Sequence, residues 1–331
     1  MRVTREILIR TARETAQKVA LSEPGLVAAY LTGSLRTDDP YLDHTTDVDI
    51  VLVHAGKPKV RREIVALTPD VHLDLVHNPR SDYERPKELR VHPWFGPELY
   101  DPLPLVVTAH FFEFIQAGVR EKYMEPVNVL ARVRTLAGEA RQTWKDLQAE
   151  ASCSPECVLA YLKSIRLAVN AIALLTGGPL PERRFLLQFP ERAAAAGEPG
   201  LAAGLLGLLG ANQVDPDQLN GLLPDWERAF TDATGRPHAH ASLAAPRLAY
   251  YRGGMNALLA GEFPSAAIWP LLITWTRAAA VLPMTRVAKW KSACELFGIS
   301  EASLPEKRAG LDAFLDRIEE ILDNFASGQG L

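Results

Sequence analysis

The spacing of apolar residues along the first third of the chain predicts a small sheet with helices. Residues 3–20 carry apolar side chains at helical spacing, which predicts an amphipathic helix. Leu26–Thr32 and Asp47–Val53 are apolar runs of strand length, and Val71–Val76 alternates between apolar and polar side chains as a third strand would. A further short strand is predicted at Val106–Thr108, where another apolar run occurs. Together these segments indicate a mixed sheet flanked by helices.

Two segments between these strands have weaker patterns. Val60–Leu67 is predicted as a short helix that carries Arg61 and Arg62. Residues 79–104 are rich in proline and charge, which is typical of a long surface connection. Arg90, His92 and Trp94 in this segment could line a ligand site, although a packing role is the favoured interpretation. Neither segment is expected to contribute to the sheet.

From Pro126 onward the apolar spacing is helical. Val127–Ala149 is amphipathic, and Ser154 with Pro155 forms a capped start for a helix that runs to Thr176. The remaining predicted helices are Arg184–Ala195, Pro199–Leu209, Asp217–Thr231, Ser242–Leu259, Pro264–Leu282, Val287–Phe297 and Glu306–Ala326. We therefore predict an α+β fold with two domains, residues 1–120 containing the sheet and residues 121–331 all-helical.

The candidate chemistry is concentrated where the first two predicted strands meet their connecting loop. Gly33-Ser34 ends the first strand, and Asp47-Val48-Asp49 opens the second. Because side chains alternate along a strand, Asp47 and Asp49 point to one face, about 7 Å apart. Two carboxylates so placed repel each other unless a cation lies between them, and their oxygen atoms suit Mg²⁺ with a phosphate-bearing substrate. Gly33 allows close approach of the backbone to a ligand.

These residues resemble the signature of the nucleotidyltransferase superfamily related to DNA polymerase β, a Gly-Ser turn followed by Asp-x-Asp on the next strand. The similarity is greatest to the aminoglycoside-type, small-molecule nucleotidyltransferases, in which an Arg, a Thr and Pro-Tyr often follow the turn. Here these are Arg36, Thr37 and Pro40-Tyr41. The chain departs from the pattern in a somewhat longer loop and in Thr46, which stands where Ser is usual.

The resemblance implies a polymerase β-like nucleotidyltransferase domain and a role for each matching residue. Asp47 and Asp49 would bind Mg²⁺, and Gly33, Ser34 and Arg36 would bind the nucleotide phosphates. In related enzymes a helix of the second domain also offers a cation to the triphosphate, and either Lys163 or Arg166 matches that position. The alternative for these two residues is a solvated helix face, with Asn170 on the same polar stripe.

A third carboxylate often lies on a neighbouring strand in this superfamily, as a metal ligand or as the base that accepts the acceptor's proton. Asp74 matches that place, because it lies on the polar face of its strand with His72 and Val76, opposite Val71, Leu73 and Leu75. The alternative is an exposed aspartate on an edge strand. His72 is interpreted as a partly exposed strand residue.

Composition limits the partners. The chain has 331 residues, is 47% hydrophobic and carries a formal net charge of −4, so a nucleic-acid partner is not expected. Cys153 and Cys157 have the spacing of half a zinc site, but nothing nearby completes it. The charged N-terminus has no signal-peptide core, and the apolar runs at Leu201–Ala211 and Ala266–Trp275 are too short to cross a bilayer. A cytoplasmic protein without membrane contact is expected.

The expected activity is Mg²⁺-dependent transfer of a nucleoside monophosphate from an NTP to a hydroxyl of a small molecule, with release of pyrophosphate. An aminoglycoside is one candidate acceptor. The alternatives are a protein-modifying, antitoxin-like nucleotidyltransferase and a non-catalytic nucleotide-binding protein of the same fold. Related enzymes include dimers with shared sites, so a homodimer stays open.

Overall fold

The chain forms two compact units, Met1–Asn128 and Val129–Leu331. The computed structural model describes residues 3–108, 110–150 and 152–331. The first unit holds a five-stranded sheet, and the described residues of the second unit form helices without a strand. The predicted α+β class is confirmed.

The sheet has the order β3–β4–β2–β1–β5. Among the strand pairs of the described residues, β2–β4 is parallel, and its register places Asp49 beside Asp74; the other three pairs are antiparallel. The strands are β1 (Leu26–Leu31), β2 (Thr46–His54), β3 (Arg62–Ala66), β4 (Val71–Pro79) and β5 (Leu103–Val107). The helices of this unit are α1 (Arg5–Ser22), α2 (Pro86–Val91), α3 (Phe95–Tyr100) and α4 (Phe111–Arg120).

Each face of the sheet is covered by its own apolar cluster. On one face, Leu8, Ala12 and Ala16 of α1 pack on strand residues that include Val48, Ile50, Leu52, Val71, Leu73 and Leu75. On the other face, residues of α2 to α4 pack on Ala28, Tyr30, Val51 and Val53. The alternation predicted for β2 and β4 is confirmed. It places Asp47, Asp49 and Asp74 on the face of Val51 and Val53.

The prediction of a helix at Val60–Leu67 is wrong, because Arg62–Ala66 forms the edge strand β3. This strand pairs antiparallel with β4, with Ile64 opposite Asp74. Its residues are mostly exposed, so the strand has little hydrophobic pattern of its own. Pairing with β4 is a tertiary effect that covers an otherwise open sheet edge.

The prediction that residues 79–104 form a surface connection is also wrong. This segment contains α2 and α3 and buries Tyr83, Leu89 and Leu99 in the second apolar cluster. Pro86 stands at the first turn of α2, where proline fits without loss of a hydrogen bond. Pro86 therefore marks a helix start rather than an open loop. The strand predicted at Val106–Thr108 is β5, which begins earlier, at Leu103.

Nine helices dominate the rest of the described chain. They are α5 (Pro126–Leu147), α6 (Pro155–Thr176), α7 (Phe185–Ala195), α8 (Gly200–Leu208), α9 (Pro216–Ala233), α10 (Arg247–Ala260), α11 (Ile268–Ala279), α12 (Ala288–Leu296) and α13 (Leu304–Gly328). As predicted, the Ser154 side chain caps α6 by accepting from the Cys157 amide, and the helix ends at Thr176. The predicted helix at Ser242 begins later, since α10 starts at Arg247.

Helix α6 is a largely buried helix of the second unit. Within the described residues it is the one helix that has the length and apolar composition to cross a membrane, and 72% of its most apolar window is buried inside the protein. A packed core helix meets the same two criteria. The apolar runs considered from sequence did not include this segment.

Candidate active site

The Gly-Ser turn and the Asp-x-Asp strand come together in space. Gly33 has φ +72°, and a Cβ built on it would lie 1.8 Å from Oδ2 of Asp49. The backbone supports this contact, because the Thr32 amide donates to the Asp49 carbonyl at 3.0 Å. The Asp49 carboxylate therefore fills the space that any larger residue at position 33 would need. Sequence analysis assigned the free space at Gly33 to a ligand, whereas here it accommodates the Asp49 carboxylate.

Ser34 and Thr46 connect the turn to the start of β2. Ser34 begins a single 3-10 turn that ends at Arg36. The Ser34 hydroxyl lies 3.3 Å from that of Thr46, which donates to the Pro40 carbonyl at 2.9 Å. Thr46, the departure from the usual Ser, is fully buried. Its hydroxyl helps to fix the loop between the two halves of the motif, a role that the sequence analysis did not assign.

Three carboxylates share one face of the sheet at the beginning of β2 and β4. Asp47 and Asp49 are separated by one residue on β2, and Asp49 is the register partner of Asp74. Neighbouring strands lie about 4.8 Å apart, so the backbones of Asp49 and Asp74 are adjacent. Asp47 is 8% exposed and Asp74 is 1% exposed. The register therefore places the three carboxylates at nearly the same level of two neighbouring strands.

Asp74 is not an exposed edge-strand residue, which corrects the alternative interpretation. It is buried on an inner strand, and Arg62 of β3 donates to both of its carboxylate oxygens, from Nε at 2.7 Å and from Nη2 at 2.5 Å. Such a two-point contact between a guanidinium and a carboxylate is the strongest ion-pair geometry available to these side chains. Arg62 was missed from sequence because the segment was interpreted as a helix, which hid its pairing with β4.

His72 is also a correction, since it is fully buried rather than partly exposed. It stands opposite Asp47 in the β2–β4 register. The other polar residues considered for a ligand site have structural contacts. Arg90 donates to the Gly118 carbonyl at 2.6 Å and to Glu121 at 3.0 Å. His92 Nδ1 accepts from the amides of Trp94 and Phe95 at the start of α3. The favoured packing interpretation is confirmed for Arg90.

Arg36 is positioned by the turn, and its guanidinium forms an ion pair with Asp101. Asp101 also lies 3.5 Å from the Arg120 guanidinium. Nε of Arg36 is buried and has no hydrogen-bond partner within the described parts of the chain. Binding of a nucleotide phosphate by Arg36 stays a prediction, and Asp101 competes for the same guanidinium.

The oxygen atoms of Asp47 and Asp49 are the donors that Mg²⁺ prefers. However, no group of three or more His, Cys, Asp and Glu side chains among residues 3–108, 110–150 and 152–331 is arranged to hold a metal ion. The Asp74 carboxylate accepts hydrogen bonds from Arg62, which is consistent with the lack of a three-residue metal group among the described residues. The donor set thus fits an ion that takes two protein carboxylates and completes its shell with substrate and water oxygens, as Mg²⁺ often does.

The cations predicted for the triphosphate lie on α6, in the second unit. Lys163 is exposed and Arg166 is half-buried, and both line a cavity within that unit. The interpretation of a solvated polar stripe is wrong at Asn170, which is 1% exposed. Its side chain donates to the Arg166 carbonyl at 2.8 Å and accepts from the Leu180 amide at 2.8 Å. A phosphate contact by Lys163 or Arg166 stays a prediction.

Comparisons with known proteins provide little further support. No family model matches the chain, and no curated protein matches it. Among solved structures, it is similar to a nucleotidyltransferase-like protein from Exiguobacterium sibiricum 255-15, at 11% sequence identity and a TM-score of 0.29. That similarity covers 94% of this chain and 91% of the other. At such a TM-score it does not bear on fold or function, so the interpretation of this site depends on its own geometry.

Proposed function

We propose that the protein is a Mg²⁺-dependent nucleotidyltransferase that moves a nucleoside monophosphate from an NTP to a hydroxyl of a small molecule and releases pyrophosphate. The observation that carries the proposal is the contact between Gly33 and the Asp49 carboxylate. A Gly-Ser turn and an Asp-x-Asp strand are each common motifs. Their packing against each other, with a third carboxylate in register, is a much more specific arrangement.

Each residue of the motif has a role in the proposed reaction. Asp47 and Asp49 bind Mg²⁺ that accompanies the NTP, and a bound Mg²⁺ neutralises phosphate charge and favours ionisation of the acceptor hydroxyl. The backbone at Gly33 and the hydroxyl of Ser34 bind the β- and γ-phosphates, since N–H groups of a tight turn suit anions. Arg36 supplies a further cation to the phosphates.

Asp74 either accepts the proton of the attacking hydroxyl or adds a metal ligand. A carboxylate that is held on both oxygens by Arg62 is a weak base, because the cation favours its ionised form. The proposed role therefore requires the Arg62 guanidinium to move away from Asp74 when substrates bind. Arg62 is 39% exposed on the edge strand, so one side of its side chain is open to solvent.

The proposed acceptor is a hydroxylated small molecule, and an aminoglycoside is one candidate. The second unit supplies 203 residues of the chain's 331, from Val129 to Leu331. A helical unit of this size is ample for an acceptor site of its own, which favours a small molecule over a protein substrate. A cytoplasmic location, the absence of membrane and nucleic-acid partners, and a homodimer as one possible assembly remain part of the proposal.

Product analysis by mass spectrometry tests the reaction. The protein is incubated with Mg²⁺, a panel of hydroxylated amines and each of ATP, GTP, CTP and UTP, and the expected product is an acceptor that has gained one nucleoside monophosphate. Asp47→Asn and Asp49→Asn should each abolish it, because the neutral amides bind Mg²⁺ poorly. Asp38→Asn is the matched control, since Asp38 is exposed in the adjoining loop.

Thermal unfolding tests the metal and nucleotide site without needing the acceptor. Mg²⁺ with a non-hydrolysable NTP should stabilise the protein by about 2.7 kcal/mol at ligand concentrations ~100-fold above Kd. The Asp47→Asn/Asp49→Asn double variant should lose the Mg²⁺-dependent part of this gain. An unchanged gain in the double variant would show that the metal is placed wrongly, and no gain with any NTP would contradict the proposed function.

A further inference from the structure

Four titratable residues from four elements of the first unit lie in a row. His54 is the last residue of β2, and His77 lies on β4 two residues before its end. Glu23 follows α1 as its C-cap residue, and Glu63 is the second residue of β3. Because side chains alternate along a strand, both histidines point to the face of the sheet opposite the three carboxylates of the candidate active site. We call these four residues the histidine cluster.

The two histidine rings are in direct contact and are flanked by the two carboxylates. Nε2 of His54 lies 2.9 Å from Nδ1 of His77, and the two residues are 7% and 5% exposed. Nδ1 of His54 lies 3.3 Å from Oε2 of Glu23, and Nε2 of His77 lies 3.0 Å from Oε1 of Glu63. The contact with Glu63 has ion-pair distance only, because Nε2 of His77 has no aligned hydrogen bond among the described residues.

The contact between the rings limits how many protons the pair can hold. One of the two inner nitrogens, which lie 2.9 Å apart, must donate and the other must accept, so the contact holds one hydrogen. If both rings were charged, each inner nitrogen would carry a hydrogen, and the two hydrogens would lie about 1 Å apart. The two positive charges would also repel each other. The contact can therefore persist with at most one charged ring.

The surroundings of the pair also oppose a second charge. Burial lowers the pKa of His54, and the neighbouring His77 lowers it further, although Glu23 acts in the opposite direction. The side chains of Glu23 and Glu63 are 51% and 48% exposed, so solvent screens their attraction for a charged ring. Two charged rings are therefore stable only when they separate and reach water.

His77 also holds the beginning of the edge strand β3. Its amide donates to the Arg61 carbonyl at 2.9 Å, and its ring faces Glu63. The Arg61 guanidinium is 74% exposed and lies 4.0 Å from Asp82, so it contributes little charge to the histidine cluster. Since β3 is mostly exposed, its position depends on its pairing with β4. Separation of the two rings would therefore loosen β3.

We propose that the histidine cluster is an acid-sensitive switch, which holds β3 on β4 at neutral pH and releases it when both histidines become protonated. Above about pH 6.5, the ordinary pKa of histidine, the pair carries at most one charge and the rings stay in contact. At lower pH the opened or unfolded chain binds two protons where the closed cluster binds at most one, so acid favours opening. The stabilisation is present above about pH 6.5 and is lost as the pH falls below that value. The switch does not depend on the proposed transferase activity.

Hydrogen–deuterium exchange with mass spectrometry on the full chain, at pH 7 and pH 5, tests the switch. After correction for the intrinsic exchange rate, peptides that cover β3 and the end of β4 should exchange about 10-fold faster at pH 5, because opening takes up a proton. Peptides from α6 should not change, which separates local opening from global unfolding. Unchanged exchange of β3 between the two pH values would overturn the proposal.

His54→Gln prevents the second charge and keeps a polar group near the position of Nε2, so it should abolish the pH dependence of β3 exchange. Urea unfolding followed by circular dichroism provides an independent measurement. From pH 7 to pH 5 the unfolding equilibrium constant of the wild type should rise about 10-fold relative to that of His54→Gln, because the variant loses no proton site on folding. His110→Gln, at a histidine that is 95% exposed, is the matched control and should behave as the wild type does.

His77→Asn gives the same test if His54→Gln fails to fold, because asparagine keeps a polar group near the position of Nδ1. The charges can also be counted by nuclear magnetic resonance of ¹³C-labelled histidine side chains, with the signals assigned from the two variants. Two charged rings in a wild-type protein whose β3 is still protected at pH 5 would overturn the proposal. Equal pH dependence of exchange in the wild type and in either variant would also overturn it.

Discussion

A methyl group at position 33 would collide with the Asp49 carboxylate, since its Cβ would lie 1.8 Å from Oδ2. The backbone there has φ +72°, so alanine is also strained by its own conformation. Gly33→Ala should therefore destabilise the first unit by about 2 kcal/mol and abolish nucleotidyl transfer by displacing Asp49. Urea unfolding followed by circular dichroism, with the mass-spectrometric assay, measures the two effects.

Gly56→Ala is the control for that prediction. Gly56 lies in a turn after β2, has no atom within 4 Å of a built Cβ and does not have positive φ. Alanine there should leave stability and activity nearly unchanged. Equal effects of the two substitutions would indicate that the Gly33 contact with Asp49 has no special role.

Asp74 and Arg62 give a second prediction at the level of single residues. Asp74→Asn keeps the side-chain shape but removes its basicity, so it should lower kcat at least ~100-fold, about 2.7 kcal/mol of transition-state stabilisation, with little change in nucleotide affinity. Arg62→Gln should leave kcat at or above the wild-type value, because the guanidinium must leave Asp74 before the base acts. Steady-state kinetics with a varied nucleotide concentration measures both.

The two variants distinguish the possible roles of the pair. If Arg62→Gln lowers kcat as much as Asp74→Asn does, the ion pair itself is the functional unit. An effect of Asp74→Asn confined to KM for the nucleotide would assign Asp74 to substrate binding. Arg61→Gln is the control, since Arg61 is 74% exposed beside Arg62.

Among the elements, those predicted correctly have a hydrophobic pattern of their own. Strand β2 is an apolar run of strand length, β4 alternates between apolar and polar residues, and α6 has a capping serine and a glycine stop, so local sequence is sufficient for them. Strand β3 is mostly exposed, and it forms because β4 offers an open edge. The Arg62–Asp74 pair depends on that edge pairing. Local sequence could therefore identify the carboxylate but not its partner.

Glu182 links three elements of the second unit, and its ionisation sets a pH-dependent stability. It accepts from Tyr251 of α10 at 2.7 Å and from Arg277 of α11 at 2.9 Å. Its pKa of about 2 is below the ordinary value of 4.5, so the native state binds fewer protons than the unfolded state. The stabilisation is complete above about pH 4.5 and is lost as the pH falls towards 2.

Glu182→Gln should destabilise the protein by about 3 kcal/mol at pH 7, because it leaves Arg277, whose side chain is 11% exposed, without its counter-charge. The difference from wild type should shrink as the pH falls below 4.5. Urea unfolding at several pH values, followed by tryptophan fluorescence, measures this, since five of the six tryptophans lie in the second unit. Glu262→Gln, at an exposed glutamate, is the control. A difference that stays constant from pH 7 to pH 3 would contradict the assigned ionisation.

At the level of the whole molecule, the order of a sheet region followed by a helical region could be predicted, because the predicted strands all lie before residue 110 and the apolar spacing from Pro126 onward is helical. The structure of the residues between the sheet and the helical region was harder to predict. Proline-rich residues 79–104 suggested an open connection, yet they pack Tyr83, Leu89 and Leu99 into the first unit. The placement of Lys163 and Arg166 beside Arg277 depends on how α6 and α11 pack. No local pattern indicates it.

The turn between α4 and α5 gives the last prediction, which concerns the two units. Met124 in this turn is 60% exposed, and Lys122 has φ +59°. The comparison site, between Glu84 and Arg85, lies directly before α2, which buries Leu89. A short Gly/Ser insert with a protease site between Met124 and Glu125 should therefore leave the thermal midpoint nearly unchanged. The same insert between Glu84 and Arg85 should lower the thermal midpoint, because it disturbs the start of α2 and the packing of Leu89.

After cleavage at the first insert, fragment 125–331 should keep its helical circular dichroism and its urea midpoint by tryptophan fluorescence. Unfolding of that fragment on separation would show that the second unit does not fold alone.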